Sequence, residues 1–188
     1  MSFELYLARH GETEWSLSGR HTGTTDLPLT SRGEEKARLL GKRLHGTNFD
    51  AVYSSPMQRA LRTAEFAGFE HPQITVLLKE VDYGRYEGLT SSQIHESEPG
   101  WELYKDGSPG GETPAQVYAR AQAFVGLARQ RSEGRVIAFG HGHILRAVAV
   151  AWIGAGITVA AGLQLDVASL NILRDGDDRR VIALWNAS

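Results

Sequence analysis

The chain has 188 residues, of which 41% are hydrophobic and 22% are charged, a balance typical of a globular protein with a buried core. Its formal net charge of -2 gives no basic footprint for nucleic acid or for an anionic membrane surface. The absence of cysteine excludes disulfides, thiolate metal sites and cysteine nucleophiles. The N-terminus lacks a basic and apolar leader, so the sequence predicts a cytoplasmic protein with a single domain over residues 1–188.

The first apolar segment, residues 3–8, predicts a short buried strand that leads into Arg9-His10-Gly11-Glu12-Thr13. Ligands of α/β folds bind at the carboxyl ends of such strands. Arg9 offers a planar, permanently charged fork that matches phosphate oxygens, and His10 carries an imidazole able to attack phosphorus. Taken alone, the pair has an alternative interpretation, in which it merely ends a strand and faces water.

The following segments alternate between strand and helix. Residues 15–23 are polar and punctuated by glycine, which predicts a loop beside the site. Thr30 is the predicted N-cap of an amphipathic helix, a second strand follows at 51–55, and a second helix covers 57–66. A third strand is predicted at 74–78. This alternation predicts an α/β fold with a parallel sheet.

Two arginines and three acids accompany these elements. Arg59 lies near the start of the second helix, the end that attracts anions, whereas Arg62 has the pattern of an exposed helix residue. Glu80, Asp82 and Glu87 follow the third strand. A carboxyl group beside a phosphate has its pKa raised by like-charge repulsion, which suits a proton donor. The residue chemistry leaves open which of the three acids serves.

Residues 89–111 are the least regular stretch, with a short helix indicated at 91–94 and several glycines and prolines after it. Loops of this kind often act as lids. Trp101 and Tyr104 either line a substrate pocket or fasten the loop to the core. The sequence does not decide between these two roles.

A long helix is predicted from 112 to about 134, followed by a strand at 135–140 that runs into His141-Gly142-His143. This order of strand, histidine and glycine repeats the opening one, so His141 can point into the same crevice as His10. The two histidines at 141 and 143 raise the question of a metal. No further acids or histidines have ligand spacing, and we expect no metal site.

The uncharged segment 147–163 is interrupted by glycines and predicts a buried helix that ends near Gly154 rather than a membrane span. The C-terminal part, from 164 onwards, closes with an apolar stretch at 169–173 and a last strand at 180–185, which together predict a hairpin.

As a set, these motifs resemble those of the histidine phosphatase superfamily, also called the phosphoglycerate-mutase-like family. The matching motifs, in family order, are Arg9-His10-Gly11-Glu12-Thr13, Ser54-Ser55-Pro56 with Arg59-Ala60 and Thr63-Ala64, Glu80 ahead of Tyr86-Glu87-Gly88, Gly111-Glu112-Thr113, and His141-Gly142-His143. They cover the chain from Leu5 to about Ala149. The resemblance implies a three-layer α/β/α sandwich, with a mostly parallel central sheet and a C-terminal antiparallel hairpin.

The resemblance also implies roles for individual residues. His10 corresponds to the acceptor that forms a phosphohistidine, and Arg9, Arg59 and His141 match the phosphate pocket. Glu80 corresponds to the proton donor, which settles the choice among the three acids by resemblance only. The positions that match the substrate-binding side of the site are Ser16, Thr22, Gly23, Tyr83, Gly142 and His143. No metal or organic cofactor is implied.

Mutases of the cofactor-dependent type carry further basic residues after the Glu80-like position, whereas residues 90–111 here offer only Lys105. Without such a clamp, water is expected to intercept the intermediate. The motifs at 15–23, 82–84 and 141–147 are similar to those of the acid phosphatase and sedoheptulose-bisphosphatase branch. The predicted function is therefore metal-independent hydrolysis of a small phosphorylated metabolite, such as a sugar phosphate or sugar bisphosphate.

Two other functions remain open at this point, a cofactor-dependent phosphoglycerate mutase and a non-catalytic domain that binds a phosphorylated ligand. Neither nucleic acid nor a membrane is an expected partner. The sequence does not decide the oligomeric state, and a homodimer stays open.

Overall fold

A computed structural model describes residues 3–131 and 134–188 of the chain. The strands in the described part are β1 (Glu4–Arg9), β2 (Ala51–Ser54), β3 (Gln73–Ile74), β4 (Arg135–Gly140), β5 (Leu170–Asp175) and β6 (Arg180–Ala187). The α-helices are α1 (Glu14–Ser18), α2 (Ser31–Leu44), α3 (Gln58–Phe66), α4 (Ser91–Ser97), α5 (Leu103–Asp106), α6 (Pro114–Arg131) and α7 (Gly142–Ile153). Short 3₁₀ helices lie at Val76–Leu78, Gly84–Tyr86 and Ile157–Gly162.

The six strands form one mixed sheet in the order β3-β2-β4-β1-β5-β6. Strands β3, β2, β4 and β1 are parallel, and β5 and β6 form an antiparallel hairpin whose first strand pairs with β1. The prediction of a mostly parallel sheet with a C-terminal hairpin is confirmed. Because β4 lies between β1 and β2, the carboxyl ends of these three strands meet at one edge of the sheet.

The sheet separates two apolar cores, as the alternation of side chains along β4 shows. Val136 and Ala138 belong to the core that contains residues of α6 and α7, while Phe139 packs with Leu40 of α2 and Ala64 of α3 on the other face. Side chains of a strand alternate between the two faces of the sheet, so a strand buried on both faces has helices above and below it. The three-layer arrangement predicted from the sequence is confirmed.

Local signals set the ends of two helices that were predicted from the sequence. The Thr30 hydroxyl accepts a hydrogen bond of 3.0 Å from the Gly33 amide and caps α2. Helix α7 ends at Gly154, which adopts the left-handed conformation at φ 71°. In the part of the chain that the structure describes, no helix is long and apolar enough to cross a membrane.

Three segments differ from the sequence prediction. The expected strand at 74–78 is wrong beyond Ile74, because the Thr75 hydroxyl accepts a hydrogen bond from the Leu77 amide and turns the chain into a 3₁₀ helix. The expected loop at 15–23 begins as the short helix α1. The stretch at 89–111 contains two helices, of which α4 includes the predicted short helix at 91–94 and α5 was not predicted. Helix α6 was expected to reach about Gly134, and Ser132 and Glu133 lie outside the described residues.

A substitution at Gly33 tests how closely α2 packs against the loop that follows β1. A Cβ atom at this position would lie 2.2 Å from the carbonyl oxygen of Glu12, so one of the two backbones has to move. We expect Gly33→Ala to lower the free energy of unfolding by about 1–3 kcal/mol, as overpacked cores do. Urea denaturation measures this change.

Gly126→Ala in α6 is the matched control, because beyond the neighbouring backbone of the helix no atom of the described residues lies within 4 Å of the added Cβ. Alanine is the better helix former, so this variant should be more stable than the parent by about 0.5–1 kcal/mol. Equal stability of Gly33→Ala and the parent would contradict the packing argument.

Candidate active site

Three strand ends bring the central groups of the site together. His10 follows β1 and donates its amide to the carbonyl of Gly140 at the end of β4, over 2.9 Å. Ser55 follows β2 and donates its amide to the carbonyl of Phe139, also over 2.9 Å. His141 follows β4, and its ring centroid lies 5.2 Å from that of His10. The two strand-end histidines are thus neighbours, but of the two only His10 lines the cavity of the site.

The hydrogen bonds of His10 define its tautomer. Its Nδ1 lies 2.7 Å from the carbonyl oxygen of Gly11. A carbonyl only accepts, so Nδ1 carries the proton and donates it, which leaves the lone pair of Nε2 available. Burial and the positive charges of Arg9 and Arg59 lower the pKa of His10 well below its ordinary value. His10 is therefore neutral, as a nucleophilic imidazole has to be.

His141 is held between two side chains. Arg59 donates its Nε–H to Nδ1 of His141 over 3.0 Å, which places the ring proton on Nε2. This Nε2 lies 2.8 Å from Oγ of Ser55, to which it donates. Burial and the charge of Arg59 lower the pKa of His141 well below its usual range. The ring is a neutral donor with a fixed orientation.

The guanidinium of Arg59 is completely buried and fixes the loop after α1. Its Nη2 donates to the carbonyls of Thr22 (3.0 Å) and Gly23 (3.1 Å), and its Nη1 donates to the carbonyl of Thr25 (2.9 Å). Asp26 lies 3.9 Å from Nη1 and is exposed. The buried charge of Arg59 is thus stabilised mainly by oriented carbonyl dipoles. It also contributes to lowering the pKa of His10 and of His141.

Glu80 meets the start of α7. Its Oε2 accepts the amide of His143, and its Oε1 accepts the amides of Ile144 and Val81, each over 2.9 Å. Burial by itself raises the pKa of this carboxyl group, but hydrogen bonds and favourable charge interactions around His143 outweigh it, and the pKa falls well below its usual value. The field at the N-terminus of a helix acts in the same direction. In the absence of a bound anion, Glu80 is ionised.

His143 and two tyrosines surround the same carboxylate. The Tyr83 hydroxyl and Nδ1 of His143 share a hydrogen bond, and this nitrogen lies 3.7 Å from Oε2 of Glu80. Burial and the charge of Arg146 lower the pKa of His143 to about 4, so the ring is neutral. Burial and the charge of Glu80 raise the pKa of Tyr83 well above its ordinary value, which keeps its hydroxyl protonated. The Tyr104 hydroxyl donates to the carbonyl of His143 over 2.8 Å.

These groups surround a cavity of about 180 Å³. Eight of the eleven residues predicted to form the site line it: Arg9, His10, Ser16, Thr22, Glu80, Tyr83, Gly142 and His143. Arg9 donates from Nη1 to the carbonyl of Leu165, and its Nε is buried without a hydrogen-bond partner among the described residues. A Cβ atom at Gly142 would lie 3.4 Å from the Arg9 guanidinium, a van der Waals distance, so the start of α7 lies next to the arginine.

The other three predicted residues lie behind the cavity wall. Arg59 and His141 are fully buried, the His141 ring lies beside that of His10, and the charge of Arg59 lowers the pKa of His10. Gly23 supports Arg59 through its carbonyl, and its amide donates to the Glu87 carboxylate over 3.0 Å. Ser16 does line the cavity, but its hydroxyl is already engaged with Thr13 in the capping box of α1.

The structure adds residues that had no predicted role in the site. Arg20, His21 and Arg146 line the outer part of the cavity. Arg146 lies three residues after His143, about one helical turn, and this spacing and its place in the 141–147 motif were the signals for it. Trp101 donates from Nε1 to the carbonyl of Gly107 over 2.7 Å and packs edge-on against His21. It therefore fastens the 89–111 stretch and also touches the cavity wall.

No group of three or more His, Asp or Glu side chains among residues 3–131 and 134–188 is arranged to hold a metal ion. The chemistry of the site is instead that of an anion pocket. The neutral imidazole of His10 lines a small cavity together with the guanidinium of Arg9, the side chains of His143 and Tyr83, and the carboxylate of Glu80. This combination suits a phosphate-sized anion beside a neutral imidazole.

Comparison with known proteins identifies the family. The model of the histidine phosphatase superfamily (branch 1) matches residues 5–188. An acid phosphatase of Mycobacterium tuberculosis is 44% identical over 171 residues, which cover 89% of this chain and 84% of that protein. A sedoheptulose 1,7-bisphosphatase of Saccharomyces cerevisiae is 33% identical over 80% of this chain and 68% of its own length. A solved structure from Mycobacterium tuberculosis has a TM-score of 0.96 at 41% identity, covering 99% of this chain and 98% of that one.

The fold and the site thus define an α/β enzyme of the phosphoric monoester hydrolase class. The chain belongs to the histidine phosphatase superfamily, as its sequence motifs predicted.

Proposed function

We propose that the protein hydrolyses a small phosphorylated metabolite through a phosphohistidine on His10, without a metal ion. The observation that supports this most directly is the tautomer of His10. Its Nδ1–H is bound to the carbonyl of Gly11, and its neutral Nε2 is left with a free lone pair beside the cavity. An imidazole in this state attacks phosphorus without first losing a proton to a base.

In the first step, the lone pair of Nε2 forms a bond to phosphorus while the bond from phosphorus to the ester oxygen breaks. The charge on the three equatorial oxygens is stabilised by Arg9 and by the buried charge of Arg59 behind His10. The departing oxygen takes a proton and leaves as an alcohol. In the second step, water attacks the phosphorus, the P–N bond breaks, inorganic phosphate leaves and neutral His10 is restored.

Glu80 gives the proton to the departing oxygen in this proposal and later accepts one from the attacking water. Its low pKa in the free protein means that the proton has to be acquired with the substrate. A bound phosphate raises the pKa of a neighbouring carboxyl group, and a monoanionic phosphate ester brings a proton of its own. The productive complex therefore contains one proton shared between Glu80 and the phosphoryl group.

The outer part of the cavity favours substrates with a second anionic group. Arg146 is held there by hydrogen bonds from Nε to the carbonyl of Gly142 (3.1 Å) and from Nη1 to that of Leu163 (3.4 Å), and Arg20 lies on the same wall. Two arginines at the mouth of an anion pocket suit a sugar bisphosphate. They suit the bisphosphorylated primer of a mutase as well, so the assay has to distinguish the two reactions.

Removal of the nucleophile is the first test. We expect the parent protein to release phosphate from members of a panel of sugar phosphates, sugar bisphosphates and 3-phosphoglycerate in the presence of a chelator. His10→Ala should reduce this release to background, since the intermediate forms on that ring. Quenching in alkaline denaturant with ³²P-labelled substrate should trap label on the parent and none on the variant, because the P–N bond of a phosphohistidine is hydrolysed in acid and survives in base.

Other outcomes would replace the proposal. Interconversion of 2- and 3-phosphoglycerate without phosphate release would establish the mutase. Tight binding of phosphorylated ligands without turnover would establish a binding domain. Phosphate release that persists in His10→Ala, or that the chelator abolishes, would contradict the mechanism.

The pKa shifts predict the pH dependence. Because the pKa of His10 is lowered, its nucleophilic form persists as the pH falls below about 6.5. The proton carried by the substrate is lost as the pH rises through the second phosphate pKa, about 6. We therefore expect kcat/KM to fall about tenfold per pH unit above that value, and to decline on the acid side only well below the ordinary histidine pKa.

Measurement of kcat/KM from about pH 4 to about pH 9 with two substrates of different second phosphate pKa checks this profile. The alkaline limb should move with the substrate. An alkaline limb that stays at one pH for both substrates, or an acid limb near 6.5, would count against the shared-proton complex.

Arg146→Met tests the outer cavity. We expect kcat/KM for a sugar bisphosphate to fall about 10- to 100-fold more than that for the matching monophosphate, because one charge-assisted hydrogen bond is lost with the second phosphate. Arg38→Met is the control, since Arg38 is exposed on α2 and pairs with Glu34. Equal losses on both substrates would place the role of Arg146 in the fold instead.

A further inference from the structure

The ion pair between Arg120 of α6 and Glu112 lies beside the chain segment that carries Glu80. Arg120 donates from Nε to Oε1 of Glu112 over 2.9 Å and from Nη2 to Oε2 over 2.7 Å, a two-pronged geometry. The two side chains are largely buried, with 15% and 21% of their surfaces exposed. Paired, partly buried guanidinium and carboxylate groups of this kind hold each other in one orientation.

The remaining donors of Arg120 reach the backbone that precedes the site. Its Nη1 donates to the carbonyls of Leu77 (3.0 Å) and Lys79 (2.6 Å), and its Nη2 makes a longer contact of 3.4 Å with the carbonyl of Glu80. These contacts use all five N–H groups of the guanidinium. A lysine has only three donors and no planar fork, so it cannot reproduce the set.

Glu112 holds the same segment from the other side of Glu80. Its Oε2 accepts the amide of Asp82 over 3.0 Å, and its own amide donates to the carbonyl of Asp82 over 2.9 Å. The backbones are so close that a Cβ atom on Gly111 would lie 2.1 Å from the Asp82 carbonyl oxygen. The ion pair therefore binds the main chain at two points, through Arg120 at Glu80 and through Glu112 at Asp82.

The two ends of Glu80 are therefore fixed by different elements. Its carboxylate is bound by the amides of His143 and Ile144 at the start of α7, while its main chain is bound by Arg120 from α6. Helices α6 and α7 pack against each other, so the distance between the two anchors is set by the core. Neither Arg120 nor Glu112 lines the cavity.

From this geometry we infer that Arg120 and Glu112 are positioning residues, which act on the reaction by holding the Glu80 carboxylate in place for proton transfer. The inference rests on the proposed role of Glu80. An error of about 1 Å in the position of a catalytic group costs on the order of 100-fold in rate. The loss of kcat/KM expected when Arg120 or Glu112 is replaced therefore depends on how strongly the leaving group of the substrate needs a proton.

Two substrates separate proton transfer from the other steps. The departing oxygen of an alkyl phosphate, such as a sugar phosphate, needs a proton, whereas p-nitrophenolate leaves without one. We expect Arg120→Met to lower kcat/KM for the alkyl phosphate about 10- to 100-fold and that for p-nitrophenyl phosphate less than about threefold. Arg120→Lys should lie between the parent and Arg120→Met.

Glu80→Gln and the double variant give the decisive comparison. If Arg120 acts through Glu80, then the double variant is no slower on the alkyl phosphate than Glu80→Gln alone. A loss equal to the product of the two single losses would overturn the inference, as would equal losses on both substrates. If Glu80→Gln shows no preference for the good leaving group, the proton-donor role of Glu80 fails, and this inference fails with it.

Arg129→Met is the matched control for a general loss of stability. Arg129 also belongs to α6 and pairs with Asp175, with Nη1 at 2.9 and 3.1 Å from the two carboxylate oxygens. Thermal unfolding of both variants should show comparable losses of stability, but only Arg120→Met should show the leaving-group effect. If Arg120→Met does not fold, Glu112→Gln carries the test, because its amide oxygen can still accept from Asp82. A Glu112→Gln variant that is indistinguishable from the parent on both substrates would overturn the inference.

Discussion

The buried guanidinium of Arg59 is the constraint on which the rest of the site depends. A charge removed from water is costly unless it is paired or fully hydrogen-bonded. Here the compensation comes from His141 and from the carbonyls of Thr22, Gly23 and Thr25. The loop after α1 therefore cannot move away without exposing an unsatisfied charge. Its position is fixed before any ligand binds, and a preorganised wall does not need to rearrange when charge develops.

Burial together with this charge lowers the pKa of His10 and of His141, so both rings are neutral in a protein whose net charge is -2. Arg9 and Arg59 are close enough to His10 to lower its pKa, in addition to the effect of burial. The pKa of Glu80 is lowered as well, since hydrogen bonds and charge interactions with His143 and His141 outweigh the effect of burial. A lowered pKa leaves an imidazole uncharged and a carboxyl group ionised, so a neutral His10 and an anionic Glu80 line the same cavity. The overall charge of the chain gives no indication of this local arrangement.

The parts of the site that depend on strand order were predictable from the sequence. Two histidines that follow parallel strands meet if the strands are neighbours, and Arg9 at the end of β1 does pair with Gly140 at the end of β4. The cap at Thr30 and the end of α7 at Gly154 follow from local chemistry in the same way.

Other parts depend on contacts between distant segments. No local pattern shows that Glu80 accepts amides from the start of α7, more than sixty residues away, and the residue chemistry left three acids open. The turn after Ile74 was missed because Leu77 and Leu78 suit a strand as well as a 3₁₀ helix. The hydroxyl of Thr75 decides between them.

The structure gives each of these three acids a different backbone partner. Asp82 accepts the amide of Gly84 and closes a turn, while Glu80 binds the start of α7 and lines the cavity. Glu87 accepts the amides of Gly23 and Thr25, the loop whose carbonyls bind Arg59. The loop is thus held from two sides, because the Glu87 carboxylate binds its amides and the Arg59 guanidinium binds its carbonyls. Of the three acids, Glu80 alone lines the cavity, so its position and not its residue type sets it apart from the other two.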